Sequence, residues 1–385
     1  MSSTPHRVLI AGGGVAGLEA LLALRDLAGD RVALTLLAPE ADFVYRPMAV
    51  AVPFARGHVL RHRLADAAAS AGAELVRGAL AEVDDAARTA RTADGRELTY
   101  DALLVAIGAL SRPALHHATT WTPELDQDVF GGLLRDVEEG YAKRVAFVVP
   151  PGVAWTLPAY ELALMTAWEA RDMGQDDVEV TVYTPEHAPL DLFGAEASAA
   201  LRADLEAAGV RVETATEVRE PGGRALEAER IVALPRAAAP NIAGLAVDAE
   251  GFIVTDEHGK VAGADAVWAA GDATAFPVKQ GGLAAQQADA AARAIAAAVG
   301  ADVEPLPFRP VLRGVLLTGR GQEWIRRDLG EDEGSAQRHA LWWPPTKIAG
   351  EYLAPYLADL EEGAAAGRPP GHLVELDVAR DLPVG

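Results

Sequence analysis

The chain has 385 residues, half of them apolar, which suits two or three domains with sizeable cores. It contains no cysteine, so disulfides, thiolate metal sites, iron–sulfur ligation, cysteine nucleophiles and redox dithiols are excluded. A formal charge of −22 disfavours nucleic acid and anionic membrane surfaces as partners, and its plainest consequence is solubility.

The opening "RVLIAGGGVAGLEALLALRDLAGDRVALTLLAPE" predicts a buried strand over 8–11 and a glycine turn. A helix follows with Val15, Leu18 and Leu22 on one face, then a stop at Gly29 and a second strand over 32–37. Strand character starting at Arg7 leaves no room before it for a signal or transit peptide. Asp94-Gly95 marks a hairpin, and "DALLVAIGA" reads as an apolar strand whose exit is punctuated by Pro113. A second strand–turn–helix unit starts at "KRVAFVVPPGVAWTLPAYELALMTAWEA". "VEVTVYTPE" supplies its next strand, and "ASAALRADLEAAGVRVETATEV" a further helix and strand.

Strand character returns in "GFIVTDEHGKVAGADAVWAAGDATAF", which ends in a Gly-Asp turn. The longest apolar helix, 283–299, is interrupted by Gln286, Gln287, Asp289 and Arg293, and no segment is apolar enough to span a membrane. From about Pro305, "RPVLRGVLLTGRGQEWIRRDL" and "HALWWPPTKIAG" suggest a small sheet. "LGEDEGSAQ" reads as a solvated loop, and the tail after Gly363 as loosely packed.

Alternating strands and helices predict parallel sheets. The expected fold is α/β, with two Rossmann-like, three-layer dinucleotide-binding domains and a small C-terminal α+β domain. The first domain is expected over 1–115 and 235–304, the second over 116–234 and the last over 305–385. The expected location is cytoplasmic.

Gly12, Gly14 and Gly17 form GxGxxG between a predicted strand and helix. In that context Gly12 permits the tight turn, Gly14 lets backbone approach a pyrophosphate, and Gly17 allows close helix–strand packing. The N–H groups that open the helix at Val15 and Ala16 then face the phosphates. Ala38 stands where a ribose-binding acid is usual. Glu40 is the nearest carboxylate, and it reads either as a substitute or as an exposed turn residue. In the second motif an apolar strand ends at Gly271-Asp272, ahead of a helix that starts near Gly282 and Leu283. Asp272 can accept hydrogen bonds from a ribityl chain. The helix dipole can stabilise negative charge on a flavin ring.

The glycine loop, "TYDALLVAIGA" and "AVWAAGDA" together resemble the pyridine nucleotide–disulfide oxidoreductase superfamily of FAD enzymes, over roughly residues 6–300. "FVYRPM" and "ALWWPPTKIAGEYLAPYL" look most similar to its sulfide:quinone oxidoreductase and type II NADH dehydrogenase branch. The resemblance implies FAD as cofactor, with pyrophosphate at Gly12 to Gly17 and ribityl at Asp272. It implies isoalloxazine near Tyr45, Arg46, Pro47, Gly281, Gly282 and Leu283, and Gly108 at the crossing between domains.

Two departures limit the carry-over. Without cysteine, neither sulfide oxidation through a cysteine pair nor a redox dithiol is possible. In the middle domain, "PPGVAWTLP" replaces the second glycine loop. Pro150 and Pro151 withhold donors and Trp155 crowds a phosphate, while Pro158 suits a helix start. Tyr183, Thr184 and Pro185 offer no ribose carboxylate. The middle domain therefore reads as a nucleotide fold reshaped around a substrate pocket.

Lys279 and Tyr45 are the candidate catalytic residues. Lys279 either stabilises the reduced flavin or an acceptor oxygen, or is a loop lysine facing solvent. Lys347 is a second candidate for that pocket. Trp342 and Trp343 read as a core or dimer-interface pair before they read as an acceptor channel. His58 and His62 have helical metal-ligand spacing but no carboxylate to complete a site, so no metal is expected. His116 and His117 read as a loop pair.

The expected function is FAD-dependent electron transfer from a small reductant to a quinone-like or other organic acceptor. An NAD(P)H-dependent flavin reductase and a non-catalytic FAD-binding sensor or scaffold are the alternatives. Partners are a small-molecule donor and acceptor and a possible second copy of the chain. Nucleic acid is not expected, and neither is peripheral membrane contact.

Overall fold

The residues Val8, Leu9, Ile10 and Ala11 have no polar side chain to offer to water. They form the buried end of strand His6–Ala11, at the centre of a five-stranded sheet. The computed structural model describes residues 4–123, 127–219, 226–331 and 333–366. Across this sheet lie Glu74–Arg77, Val32–Ala38, His6–Ala11, Ala102–Val105 and Val267–Ala269, with every neighbouring pair parallel.

Parallel neighbours need crossovers. Helix Val15–Ala28 supplies the first and ends at Gly29, whose φ of 53° suits glycine. Leu18, Leu21 and Leu24 recur on one side of it and are at most 1% exposed. Burying each contributes about 1.5–3 kcal/mol. Helix Gly281–Ala298, rich in alanine, packs closely against that helix. It follows strand Val267–Ala269, so the first unit draws on two distant segments of chain.

A second parallel sheet repeats the plan, in the order Arg211–Glu213, Glu179–Tyr183, Arg144–Val148, Arg230–Ala233 and Thr119–Thr120. Between the units, Leu110–Arg112 pairs antiparallel with Arg236–Ala238. A three-stranded antiparallel sheet of Val311–Leu317, Gln322–Asp328 and Gly334–Gln337 follows, and then helix Leu353–Ala366. The fold is thus α/β, with two Rossmann-like units and a small C-terminal α+β unit. Among the described residues no helix is long and apolar enough to cross a membrane.

The hairpin at Asp94-Gly95 joins Thr89–Thr92 to Glu97–Thr99 as expected. Three local expectations need correction. Residues 339–350 form no strand, and only Pro344 and Ile348 among them are buried. The acidic stretch is not all loop, because Gly334–Gln337 is a strand. A Cβ at Gly334 would lie 2.0 Å from the Phe193 carbonyl oxygen, so glycine lets this strand close onto the middle unit. Past Gly363 the chain continues as helix to Ala366, and the rest of the tail lies outside the described residues. His62 sits on strand Leu60–Arg63, so no helix brings it and His58 onto one face.

Candidate active site

The site is built around the start of the first helix. Gly12 has φ +122° and donates its N–H to the Leu37 carbonyl at 2.8 Å. A Cβ there would lie 2.2 Å from the Ala106 carbonyl oxygen, where the sheet order reverses direction. That reversal is where open α/β sheets bind ligands. A Cβ on Gly17 would meet the Gly12 carbonyl oxygen at 1.9 Å, so Gly17 serves packing and stands behind the cleft wall. Gly13 is less tightly constrained, because a Cβ there would meet the end of the Leu64 side chain at 2.5 Å and no backbone atom so closely.

Gly14 differs, since nothing lies within 4 Å of the Cβ it lacks. It is the N-cap, with no side chain capping the first turn, and it lines the cleft with Val15 and Ala16. Free N–H groups and the positive helix end therefore face open space, which fits a phosphate.

The cleft has a volume of about 630 Å³ and runs from this loop towards strand Val311–Leu317. Glu40 lines it just beyond the buried Ala38 and is exposed. Arg46 and Pro47 line it just past strand Asp42–Tyr45, and Gly108, with φ +73°, lines it just past strand Ala102–Val105.

At the far strand end, the Gly271 N–H donates to Gln287 at 2.7 Å, and the Thr274 hydroxyl donates to the Gly271 carbonyl at 2.9 Å. This turn presents Asp272 to the cleft. Burial pushes its carboxyl above the usual range, opposed by the charge of Lys279. A carboxylate in that position fits a ligand that brings hydroxyl donors. Lys279 lines the cleft too, but its Nζ donates to the Thr274 carbonyl and lies 3.9 Å from the Phe252 ring centre. Burial lowers the Lys279 ammonium, opposed by Asp272, Asp248 and Glu250.

Three expected ring contacts stand behind the wall. The Tyr45 hydroxyl accepts the Ile348 N–H at 3.1 Å, and burial pushes the phenol up to about 12. Tyr45 holds the 346–348 segment in place and is not among the residues lining the cleft. Leu283 is 1% exposed, in the core shared by the middle unit and the third sheet. Its N–H is capped by Gln280 Oε1 at 2.9 Å. Gly282 leaves room for that cap, as a Cβ would lie 3.0 Å from the same oxygen. Gly281 and Gln280 line the cleft in their place.

Neither tryptophan of "WWPP" lines it. Trp342 packs edge-on against Trp324 and donates to the Thr346 carbonyl, while Trp343 is 85% exposed. His116 and His117 are exposed and away from the cleft. Burial lowers the His62 imidazole, which stacks on Phe43. Among the described residues no group of three or more His, Cys, Asp or Glu could hold a metal.

From the middle unit, Trp155, Leu157 and Pro158 reach the cleft at the start of helix Leu157–Asp172. Trp155 is braced edge-on by Phe193 at 5.8 Å. Just past strand Glu179–Tyr183, Glu186 folds back onto that helix start. It accepts hydrogen bonds from Thr156 at 3.1 Å, Tyr160 at 2.7 Å and Thr184 at 2.9 Å.

One turn into the helix, Glu161 pairs with Lys347, their side chains 1% and 8% exposed. Glu161 also accepts the Leu317 N–H at 2.9 Å. Burial raises its carboxyl, and Lys347 and that N–H oppose the rise. A salt bridge so far from water holds three segments together more than it adds net stability. Glu161, Glu186, Gln280 and Arg313 went unremarked in the sequence. Only Gln280, a polar residue just before a glycine-started helix, left a signal there.

In fold the chain is similar to the sulfide:quinone oxidoreductase of the hyperthermophilic bacterium Aquifex aeolicus. The TM-score is 0.78, over 93% of this chain and 90% of that one, at 19% identity. A ferredoxin reductase from Rhodopseudomonas palustris is similar with a TM-score of 0.62, over 83% and 81% of the two chains, at 18% identity. An NAD-dependent persulfide reductase from A. fulgidus gives 0.58, over 83% of this chain and 64% of that one, at 18% identity. No curated protein sequence matches. The family model described as pyridine nucleotide-disulphide oxidoreductase matches residues 6–298, and the chain belongs to that family.

Proposed function

We propose that the chain is an FAD-dependent oxidoreductase that passes electrons from a small reductant to a quinone-like or other organic acceptor. The observation that carries this is the arrangement of one cleft. An uncapped helix start with open space at Gly14 lies at one strand end, and the Asp272 carboxylate at another. The first suits a pyrophosphate and the second a ribityl chain. Bound FAD would supply the two-electron chemistry at its ring. The chain's own part is to bind and orient the cofactor, to exclude water with Trp155, Leu157 and Val315, and to set the charge around the ring. Lys279, beside Asp272, is the catalytic candidate in that surface.

The family name refers to disulfide chemistry, which a chain without cysteine cannot perform. Pyridine nucleotide as donor is disfavoured by Pro150, Pro151 and the Glu186 contact with Thr156. The test is an anaerobic screen that follows flavin absorbance. Rapid reoxidation of photoreduced flavin by a quinone supports the enzyme, while a reduced flavin that no quinone or other organic acceptor reoxidises contradicts it.

A further inference from the structure

At the end of the cleft away from the glycine loop, a chamber lies between the start of helix Leu157–Asp172 and strand Val311–Leu317. Its walls are mostly apolar, with Trp121, Trp155, Leu157, Pro158 and Val315. Two ionic groups in it cancel, because Lys347 is spent on Glu161. Arg313 is not cancelled. It lines the cleft, half-buried, and its backbone carbonyl is pinned by the Gln280 side chain at 2.9 Å.

Among the described residues no carboxylate lies within ion-pairing distance of its guanidinium. Asp328, whose charge it feels, is held by Arg326 at 3.0 Å, and Arg326 stands directly opposite Arg313 across the strand pair and repels it. A half-buried guanidinium without a partner is costly, and in a chain of net charge −22 there is no shortage of carboxylates to pair it. We infer that Arg313 is kept for a ligand, and that this chamber binds a flat organic anion whose negative group pairs with Arg313 while its apolar body lies among Trp121, Trp155 and Val315.

The inference rests on the FAD reading, and it narrows the donor or acceptor to an anionic molecule. The guanidinium offers paired donors to a carboxylate or sulfonate, a geometry lysine lacks.

The test uses the oxidised, FAD-loaded protein and a matched pair of probes, naphthoate and its neutral amide, titrated through the flavin's visible spectrum without turnover. Naphthoate is expected to bind roughly tenfold or more tightly than naphthamide. R313Q should weaken naphthoate by a similar factor and leave naphthamide nearly unchanged, and R313K should recover part of the loss. FAD content of each variant shows that it has folded. Equal affinities for the two probes, binding of neither, or an equal loss of both in R313Q would overturn the inference. The last result would assign Arg313 to the flavin itself. A chain that takes up no FAD defeats the earlier reading, whereas a yellow protein indifferent to probe charge defeats only this one.

Discussion

Glu186 accepts a hydrogen bond from Thr156 at 3.1 Å, across the start of helix Leu157–Asp172. In a Rossmann unit an acid beyond the second strand holds a nucleotide's ribose, and the helix start holds its phosphates. Here the acid closes on the helix start itself, and Tyr160 and Thr184 occupy its other lone pairs. NADH or NADPH should therefore reduce the flavin slowly, over minutes or longer. Trp155→Gly should not restore fast reduction, since Pro150 and Pro151 still withhold their donors. Anaerobic stopped-flow mixing checks this, and bleaching within a second at low micromolar NADH would transfer the donor role to pyridine nucleotide.

Asp272→Ala should lower FAD affinity more than Glu40→Ala. The first removes a cleft-facing carboxylate in a buried turn, a charged acceptor contributing about 1.5–3 kcal/mol. The second removes an exposed side chain at the rim. Equilibrium titration of the two apoproteins with FAD decides the ranking, and equal affinities would contradict it.

The parts of this site written in local sequence are legible in the chain itself. The strand–glycine–helix spacing marks the turn from strand His6–Ala11 into helix Val15–Ala28, and the apolar run ending at Gly271-Asp272 marks the second strand end. What stayed hidden depends on contacts between distant segments. Glu161 meets Lys347 across 186 positions of chain, and nothing near either residue announces the other. A helix start near Gly282 and Leu283 predicts that both face the ring. Gln280 instead caps that start, and both residues are buried. Tyr45 shows the same limit. Its position beside Arg46 was readable, but the inward turn of its hydroxyl towards Ile348 was not.

Glu19 and Asp289 bring two carboxyl groups together between helices Val15–Ala28 and Gly281–Ala298. Glu19 accepts N–H groups from Tyr352 at 2.7 Å and Leu353 at 2.9 Å, at the start of the last helix. Burial and the Glu19 charge push the Asp289 carboxyl up to about 9. The folded chain thus binds this proton more tightly than the unfolded chain, where an aspartate titrates near ~4. Its contribution to stability is full below that value and is lost as pH rises towards 9. Asp289→Asn keeps a donor for Glu19 and removes the titration. Urea denaturation across neutral to alkaline pH should show a flatter profile for the variant, with the variant at least as stable as the parent at the alkaline end. Parallel pH profiles would contradict the assignment.

The most direct test of the account is whether the chain holds FAD. The purified protein, or the apoprotein after incubation with FAD and gel filtration, should be yellow with one flavin per chain. Heat denaturation should release intact FAD, because no cysteine is present to form a thioether and no histidine falls in the flavin motifs. A folded, colourless chain that takes up no FAD would contradict the central claim.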